Sequence, residues 1–377
     1  MGSLLHPSLA ALAAHIVERC DREHPADETL RTTLRQRRGL ARRDASRVAR
    51  AVFAYFRWRG WLEEDGPVAA GVQRAVELAE AYAAQPEGFP PQEFTARAVP
   101  QWVDRSCEVT DRWARTLQRE PALWLRARAG QGDALAARLD ATRPGPLPDS
   151  LRYDWDEDLF RHPLFQAGEF EIQDIASQAV GWVCAPQPGE TWWDACAGEG
   201  GKLLHLSDLM GNRGLLWASD RAQWRLEKLR RRSARARCFN YRAALWDGGP
   251  RRPTKTKFDG VLLDAPCAGL GTWGRNPHAR WTTTPQDVAE LADLQRRLLV
   301  AAAPAVKPGG RLVYSVCTLT REETVEVCAA FAAAQPEFEP LAFANPFTPN
   351  AAPAAQQLWW PSETGGNGMF VAHWRRR

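Results

Sequence analysis

Two rhythms divide the chain. Over residues 9–119 apolar positions recur every three or four residues, in runs such as LAALAAHIVERC and ASRVARAVFAYFRWRGWL, and nothing alternates with period two for long. Such spacing lays an apolar stripe along each helix, so the pattern predicts an all-α domain at residues 1–119. Asp44 or Ser46 is placed to open the helix that carries the second run. The proline- and glycine-bearing stretch QPEGFPPQEF reads as a loop. Residues 120–167 hold short pieces, LWLRARAG and a helix-like GDALAARLDA before the breaker TRPGPLPDS, and read as a small connecting subdomain.

From residue 168 the rhythm becomes strand, helix, strand. Residues 192–195 lead into CAGEGGK and the helix KLLHLSDLM, and residues 215–219 end at Asp220. A basic helix follows, then a short strand near Cys238. Residues 258–263 end at Asp264, Thr284 and Pro285 open a long helix, and residues 311–314 form another strand. The run Thr320, Arg321, Glu322, Glu323 reads as a capping box for a helix toward Phe331, and the tail after residue 338 adds edge strands. Strands alternating with helices predict an α/β domain, a mostly parallel doubly wound sheet over residues 168–377.

Composition changes this picture little, and charge distribution changes it more. There are 49 basic and 45 acidic residues, yet residues 31–59 hold ten arginines against the single Asp44, and residues 221–242 are basic again. Stripes of this kind suit a polyanion. Tyr55, Phe56, Trp58 and Trp61 interleave the first stripe; aromatic and guanidinium groups can stack on exposed bases, although Phe56 and most of its neighbours read as core. Only five lysines stand beside 44 arginines, which marks Lys202 inside the glycine loop. The eight cysteines form no CxxC pair and no zinc spacing, so no metal is expected. With neither a signal sequence nor an apolar run of membrane-spanning length, a monomeric, reduced, cytoplasmic protein is expected.

Two places carry chemistry. In the first, Gly198, Gly200 and Gly201 separate a strand from a helix, which lets backbone amides approach a ligand at the helix N-terminus. Asp220 ends the next strand, where a carboxylate can accept both ribose hydroxyls. The loop is not GxGxxG, and Asp247 stands where an adenine amino group could be met, which favours S-adenosylmethionine over a dinucleotide; a turn residue beside Gly248 is the competing reading of Asp247. In the second, Asp264 and Cys267 in LLDAPCAGLGTWGRNPHARW and Cys317 in YSVCTL lie just past two strand ends. Carbon 5 of a pyrimidine reacts with a methyl donor only after a thiolate adds at carbon 6, and an acid and a base must attend the adduct. Cys20, Cys184, Cys238 and Cys328 read instead as small buried hydrophobes.

The runs DACAGEGGKLLHL, FDGVLLDAPCAGLGTWGRNPHARW and RLVYSVCTLTREE, with FEIQDIASQ before them and GNGMFVAHW after, resemble the RsmB/Sun family of RNA cytosine-5 methyltransferases. The helical region is similar, more loosely, to the NusB-like RNA-binding domain of its bacterial ribosomal members. The resemblance implies a Rossmann-like class I methyltransferase domain behind a NusB-like domain, and a small-subunit ribosomal RNA substrate. It implies a nucleophile at Cys317, a release-assisting thiol at Cys267, and Asp264 on the cytosine edge and near the cofactor. Cys196, Ala197, Gly198, Glu199, Gly200, Gly201, Lys202, Asp220 and Asp247 would bind S-adenosylmethionine. Arg37, Arg38, Arg42, Arg43 and Arg275 are the candidate RNA contacts. The chain departs from the family at Gly198-Glu199, where Ala-Pro is usual, and at residues 274–278, so a tRNA substrate or an assembly factor without turnover stays open.

Overall fold

The structure is a computed structural model that describes residues 5–37, 39–154 and 157–377. Two compact units are present: Met1–Pro121 with Thr272–Pro285, and Ala122–Gly271 with Gln286–Arg377.

In the first unit, helices Pro7–Val17, Ala26–Gln36, Arg42–Trp58 and Val68–Ala84 bury Leu9, Leu12, Ile16, Leu30, Val48, Val52, Phe56 and Val72 against one another. The helix expected to open at Asp44 or Ser46 opens at Arg42, with the extended Ala41 before it and Asp44 inside its first turn, where a carboxylate favours the positive helix end. The stretch read as a loop holds a helix, Pro91–Arg97; proline at its first position needs no amide donor there. Trp58, Tyr82, Phe89 and Phe94 form an aromatic cluster beside Trp61. Arg57, counted in the basic stripe, turns inward and is buried.

Thr272–Pro285 is part of this packing. Trp273 stacks on Trp113, and the Trp281 indole donates to the Phe56 carbonyl at 2.6 Å. The fully buried Arg280 donates to the carbonyls of Arg57, Ala98 and Leu117 at 3.2, 2.9 and 2.9 Å. Those carbonyls lie at the C-terminal ends of three helices, where orphan acceptors collect.

The second unit contains two sheets. Strands β1 (Leu123–Ala127), β2 (Thr142–Pro144), β3 (Ser150–Tyr153) and β4 (Phe170–Ile172) pair antiparallel in the order β2-β3-β1-β4. The larger sheet runs β7 (Tyr241–Leu245), β6 (Leu215–Asp220), β5 (Thr191–Asp194), β8 (Phe258–Asp264), β9 (Val306–Val316), β12 (Met369–Arg376), β10 (Phe338–Pro340), and β11 (Gln356–Trp359) pairs with β12. The strands from β7 to β9 are parallel and β12 is antiparallel, in keeping with the expected mostly parallel doubly wound sheet. The short strand lies at residues 241–245, and Cys238 stands in the connection before it.

Chain order reverses between β5 and β8: the chain steps outward from β5 to β6 and β7, then returns to β8 on the other side. The crevice beyond the strand ends at such a switch is where open α/β sheets hold ligands. The small sheet braces the helices around it. Arg126 and Arg128 of the β1 region pair with Asp208 in helix Gly201–Leu209, and the buried Glu171 of β4 binds Arg232 and Arg235 of helix Gln223–Arg235 at 3.0 and 2.6 Å.

Candidate active site

Strand β5 ends at Asp194, and the chain turns through Gly198 (φ +54) and Gly200 (φ +87) into helix Gly201–Leu209. Both dihedrals lie in the left-handed region that favours glycine. A Cβ on Gly198 would meet nothing within 4 Å, whereas one on Gly200 would strike Leu229 at 2.8 Å. Gly198 therefore faces open space, and Gly200 lets the helix Gln223–Arg235 pack close. The Gly198 amide donates to Asp220 Oδ2 at 3.1 Å and the Ala222 amide to Asp220 Oδ1 at 2.9 Å, so the carboxylate that ends β6 also fixes the loop. The Glu199 carboxylate pairs with Lys228 at 2.7 Å on the exposed side, which neutralises the unusual acid of this loop. Cys196 and Ala197 complete the turn, and burial raises the Cys196 thiol's pKa.

Lys202 is buried and pairs with Asp264 Oδ2 at 2.7 Å. Burial disfavours its charge, but the ion pair outweighs burial and its pKa is raised. Asp264 Oδ1 accepts from the Ser315 hydroxyl at 2.7 Å, across the register that sets Asp264 beside Ser315. Asp194, unmarked in the sequence reading, is fully buried one strand away; burial, with Asp264 adding, pushes its pKa up to about 8. Its place at the end of an apolar strand was the available signal.

Because β8 and β9 are in register, Cys267 and Cys317, three and two residues past the paired Asp264 and Ser315, converge. Their sulfurs are 3.4 Å apart. The Cys317 sulfur, with burial, pushes the Cys267 pKa well above the ordinary thiol range. The loop is closed by Gly271, whose amide donates to the Cys317 carbonyl at 3.0 Å and whose carbonyl accepts from Gly368 at 2.8 Å. A Cβ there would stand 2.1 Å from the Gly368 oxygen.

The expected capping box is not one. The helix starts at Val325, and the Glu323 carboxylate binds the Thr318 and Thr320 hydroxyls and the Ala268 amide rather than the amide of residue 320. A backbone amide beside Cys267 and a hydroxyl beside Cys317 outcompete the local cap, and Glu323 is the second site residue that sequence reasoning missed. Asp247 is exposed and accepts from the Gly249 amide at 2.9 Å, as a turn residue does.

Among the candidate RNA contacts, Arg37, Arg42 and Arg43 are exposed in the helical unit, and Arg38 lies outside the described residues. Arg275 is half-buried within Thr272–Pro285. Its neighbour His278 is buried edge-on against Phe56, 4.6 Å between ring centroids, and burial lowers its pKa. This imidazole is used in packing. Cys184, Cys238 and Cys328 are buried as expected, while Cys20 is half-buried with its thiol on the Ile16 carbonyl. Among the described residues no helix is long and apolar enough to cross a membrane.

Residues 182–375 match the protein family described as 16S rRNA methyltransferase RsmB/F. A probable ribosomal RNA small subunit methyltransferase B from Synechocystis is 36% identical over 63% of this chain and 55% of its own. Ribosomal RNA small subunit methyltransferase B of Sodalis glossinidius is 31% identical over 80% of this chain and 69% of its own. The first two such relatives are matched over 55% and 40% of their lengths, so this chain spans about half of them. Among solved structures, PH0851 superposes over 100% of both chains with a TM-score of 0.81 at 21% identity, a likeness of fold alone.

Proposed function

The chain belongs to the 16S rRNA methyltransferase RsmB/F family, and from that premise we propose that it methylates carbon 5 of a cytosine in small-subunit ribosomal RNA. The observation that carries this reading is the pair of thiols 3.4 Å apart, past two neighbouring strand ends of which one closes on the Lys202–Asp264 ion pair.

In this reading the Cys317 thiolate adds to carbon 6, and the ring's electron pair moves toward carbon 5, which becomes nucleophilic. Asp264, held by Lys202 and Ser315, binds the hydrogen-bonding edge of the base. Once carbon 5 carries the methyl group, a base takes its proton, the C–H electron pair restores the ring double bond, and the bond to Cys317 breaks with its electrons returning to sulfur as the thiolate. Cys267, whose raised pKa keeps it a thiol at neutral pH, assists that release. The base has to leave its stack, since both ring carbons are approached from the face.

S-adenosylmethionine, when bound, supplies an electrophilic methyl group. The crevice suits it: the space above Gly198 is open, the turn from Cys196 to Gly201 is held in shape by its own amide bonds to Ser219, Asp220 and Ala197, and Asp220 offers a carboxylate for hydroxyls, with Asp247 nearer the rim of the sheet. Arg37, Arg38, Arg42, Arg43 and Arg275 are the proposed phosphate contacts. We take the protein to act as a monomer in the cytoplasm, which suits thiols that must stay reduced.

Tritium transfer from labelled S-adenosylmethionine to RNA tests the proposal. Cys317→Ala is expected to abolish transfer, and Cys267→Ala to accumulate a protein–RNA adduct that survives denaturant. Full transfer by Cys317→Ala would exclude the mechanism.

A further inference from the structure

Four donors converge on one buried carboxylate. Glu323 Oε1 accepts from the Ala268 amide at 2.8 Å and from Gln295 Nε2 at 3.0 Å; Oε2 accepts from the Thr318 hydroxyl at 3.0 Å and the Thr320 hydroxyl at 2.8 Å. Gln295 Nε2 also donates to the Pro266 carbonyl at 2.9 Å, and its amide oxygen accepts from the Tyr314 hydroxyl at 2.9 Å. Glu323, Gln295, Thr318, Thr320 and Tyr314 have no exposed surface.

The partners are not scattered. Pro266 and Ala268 flank Cys267, and Thr318 follows Cys317. Both backbone groups beside one thiol and the side chain beside the other are thus tied to a single Glu–Gln pair. Two amide donors and two hydroxyls face Glu323, and together they satisfy an ionised carboxylate, even though burial raises its pKa. A buried charge of this kind is retained at a cost unless its hydrogen bonds do work that an apolar side chain could not. Four bonds run from this Glu–Gln pair to groups at Pro266, Ala268, Thr318 and Thr320, and they have one evident product, the fixed separation of the sulfurs.

We infer that Glu323, braced by Gln295, is a positioning residue that holds the two cysteine loops in one geometry, so that attack and release act on the same base without rearrangement. The inference rests on the two-thiol reading of the reaction. Glu323 touches no substrate atom in this role; it acts through Cys267 and Cys317.

The test uses the full chain and two readouts. Single-turnover methyl transfer to RNA, with cofactor affinity measured alongside, reports the reaction. The rate at which diamide oxidises Cys267 and Cys317 to a disulfide, taking up two electrons and two protons from the thiols, reports their separation without RNA. Glu323→Ala is expected to slow transfer about 100-fold, as misplacement on the order of 1 Å does, with cofactor affinity within about twofold, and to slow disulfide formation about tenfold. Glu323→Gln, which keeps Oε1 and lets both threonine hydroxyls turn to accept, is expected to recover most of both rates. Wild-type rates in Glu323→Ala overturn the inference. So does equal loss of cofactor affinity and cooperative melting in the Ala and Gln variants, which would mark a purely structural role. Should Glu323→Ala not fold, Thr318→Val removes a single contact; it is expected to slow both rates several-fold, and wild-type values in that folded variant also overturn the inference. If the wild-type protein transfers no methyl group to cytosine, the proposed reaction fails while the disulfide rates still decide the role of Glu323.

Discussion

Asp194 shows what one carboxylate costs when apolar strands surround it. Its pKa is pushed up to about 8 by burial, with Asp264 adding and Lys202 opposing. The unfolded chain holds the same group near the ordinary carboxylate value of about 3.9. The folded form therefore prefers the protonated acid, and its contribution to stability is fully present below the unfolded value and is lost as pH rises through about 8. Asp194→Asn, which cannot ionise, is expected to stabilise the protein relative to wild type by an amount that grows from about pH 4 to pH 8 and then levels. Parallel thermal melts across that range check it; a difference independent of pH would mean that Asp194 is not buried as an acid. At this scale the sequence was informative where chemistry sits in irregular backbone. Asp264, Cys267 and Cys317 stand out because an acid and two thiols fall in proline- and glycine-bearing or otherwise irregular runs just past apolar strands. Asp194 and Glu323 did not stand out, since one looked like the last residue of a strand and the other like a helix cap. Their roles depend on partners from other elements.

Among the elements, Arg280 does the work of three caps. Its guanidinium meets carbonyls at the ends of Arg42–Trp58, Pro91–Arg97 and Asp111–Thr116, and burial with Arg57 nearby lowers its pKa to about 9. Arg280→Lys retains charge but lacks the planar fork. Leaving two of the three carbonyls unpaired is expected to cost roughly 3 kcal/mol, read as a lower denaturation midpoint, while Arg275→Lys in the same segment shifts it far less. Equal effects would remove the special role of Arg280. The alternation of strands and helices after residue 168 was legible because each element is long enough to show its period. The antiparallel sheet of β1 to β4 was not, because its strands are three to five residues long and pair across loops of different lengths. The helix Pro91–Arg97 was hidden for the opposite reason: prolines that usually mark loops sit here where a first turn tolerates them.

For the whole molecule, the partition of the chain has a consequence for taking it apart. The polypeptide passes between its two units at residues 121–122, 271–272 and 285–286. One cut near residue 121 therefore does not liberate the second unit. The piece beginning at Ala122 still owns Trp273, Arg280 and Trp281, whose packing and hydrogen-bond partners are in the helical bundle. Protein nicked at that junction is expected to elute as a single species in gel filtration and to separate only in denaturant. Expressed alone, residues 122–377 are expected to be poorly soluble, and to be recovered by co-expressing residues 1–121 as a separate chain. Independent elution of the two nicked pieces would contradict this. The short segment after Gly271 thus makes the protein a natural candidate for fragment complementation: a split chain whose halves recognise each other through a peptide of fourteen residues, Thr272–Pro285, that one half already carries.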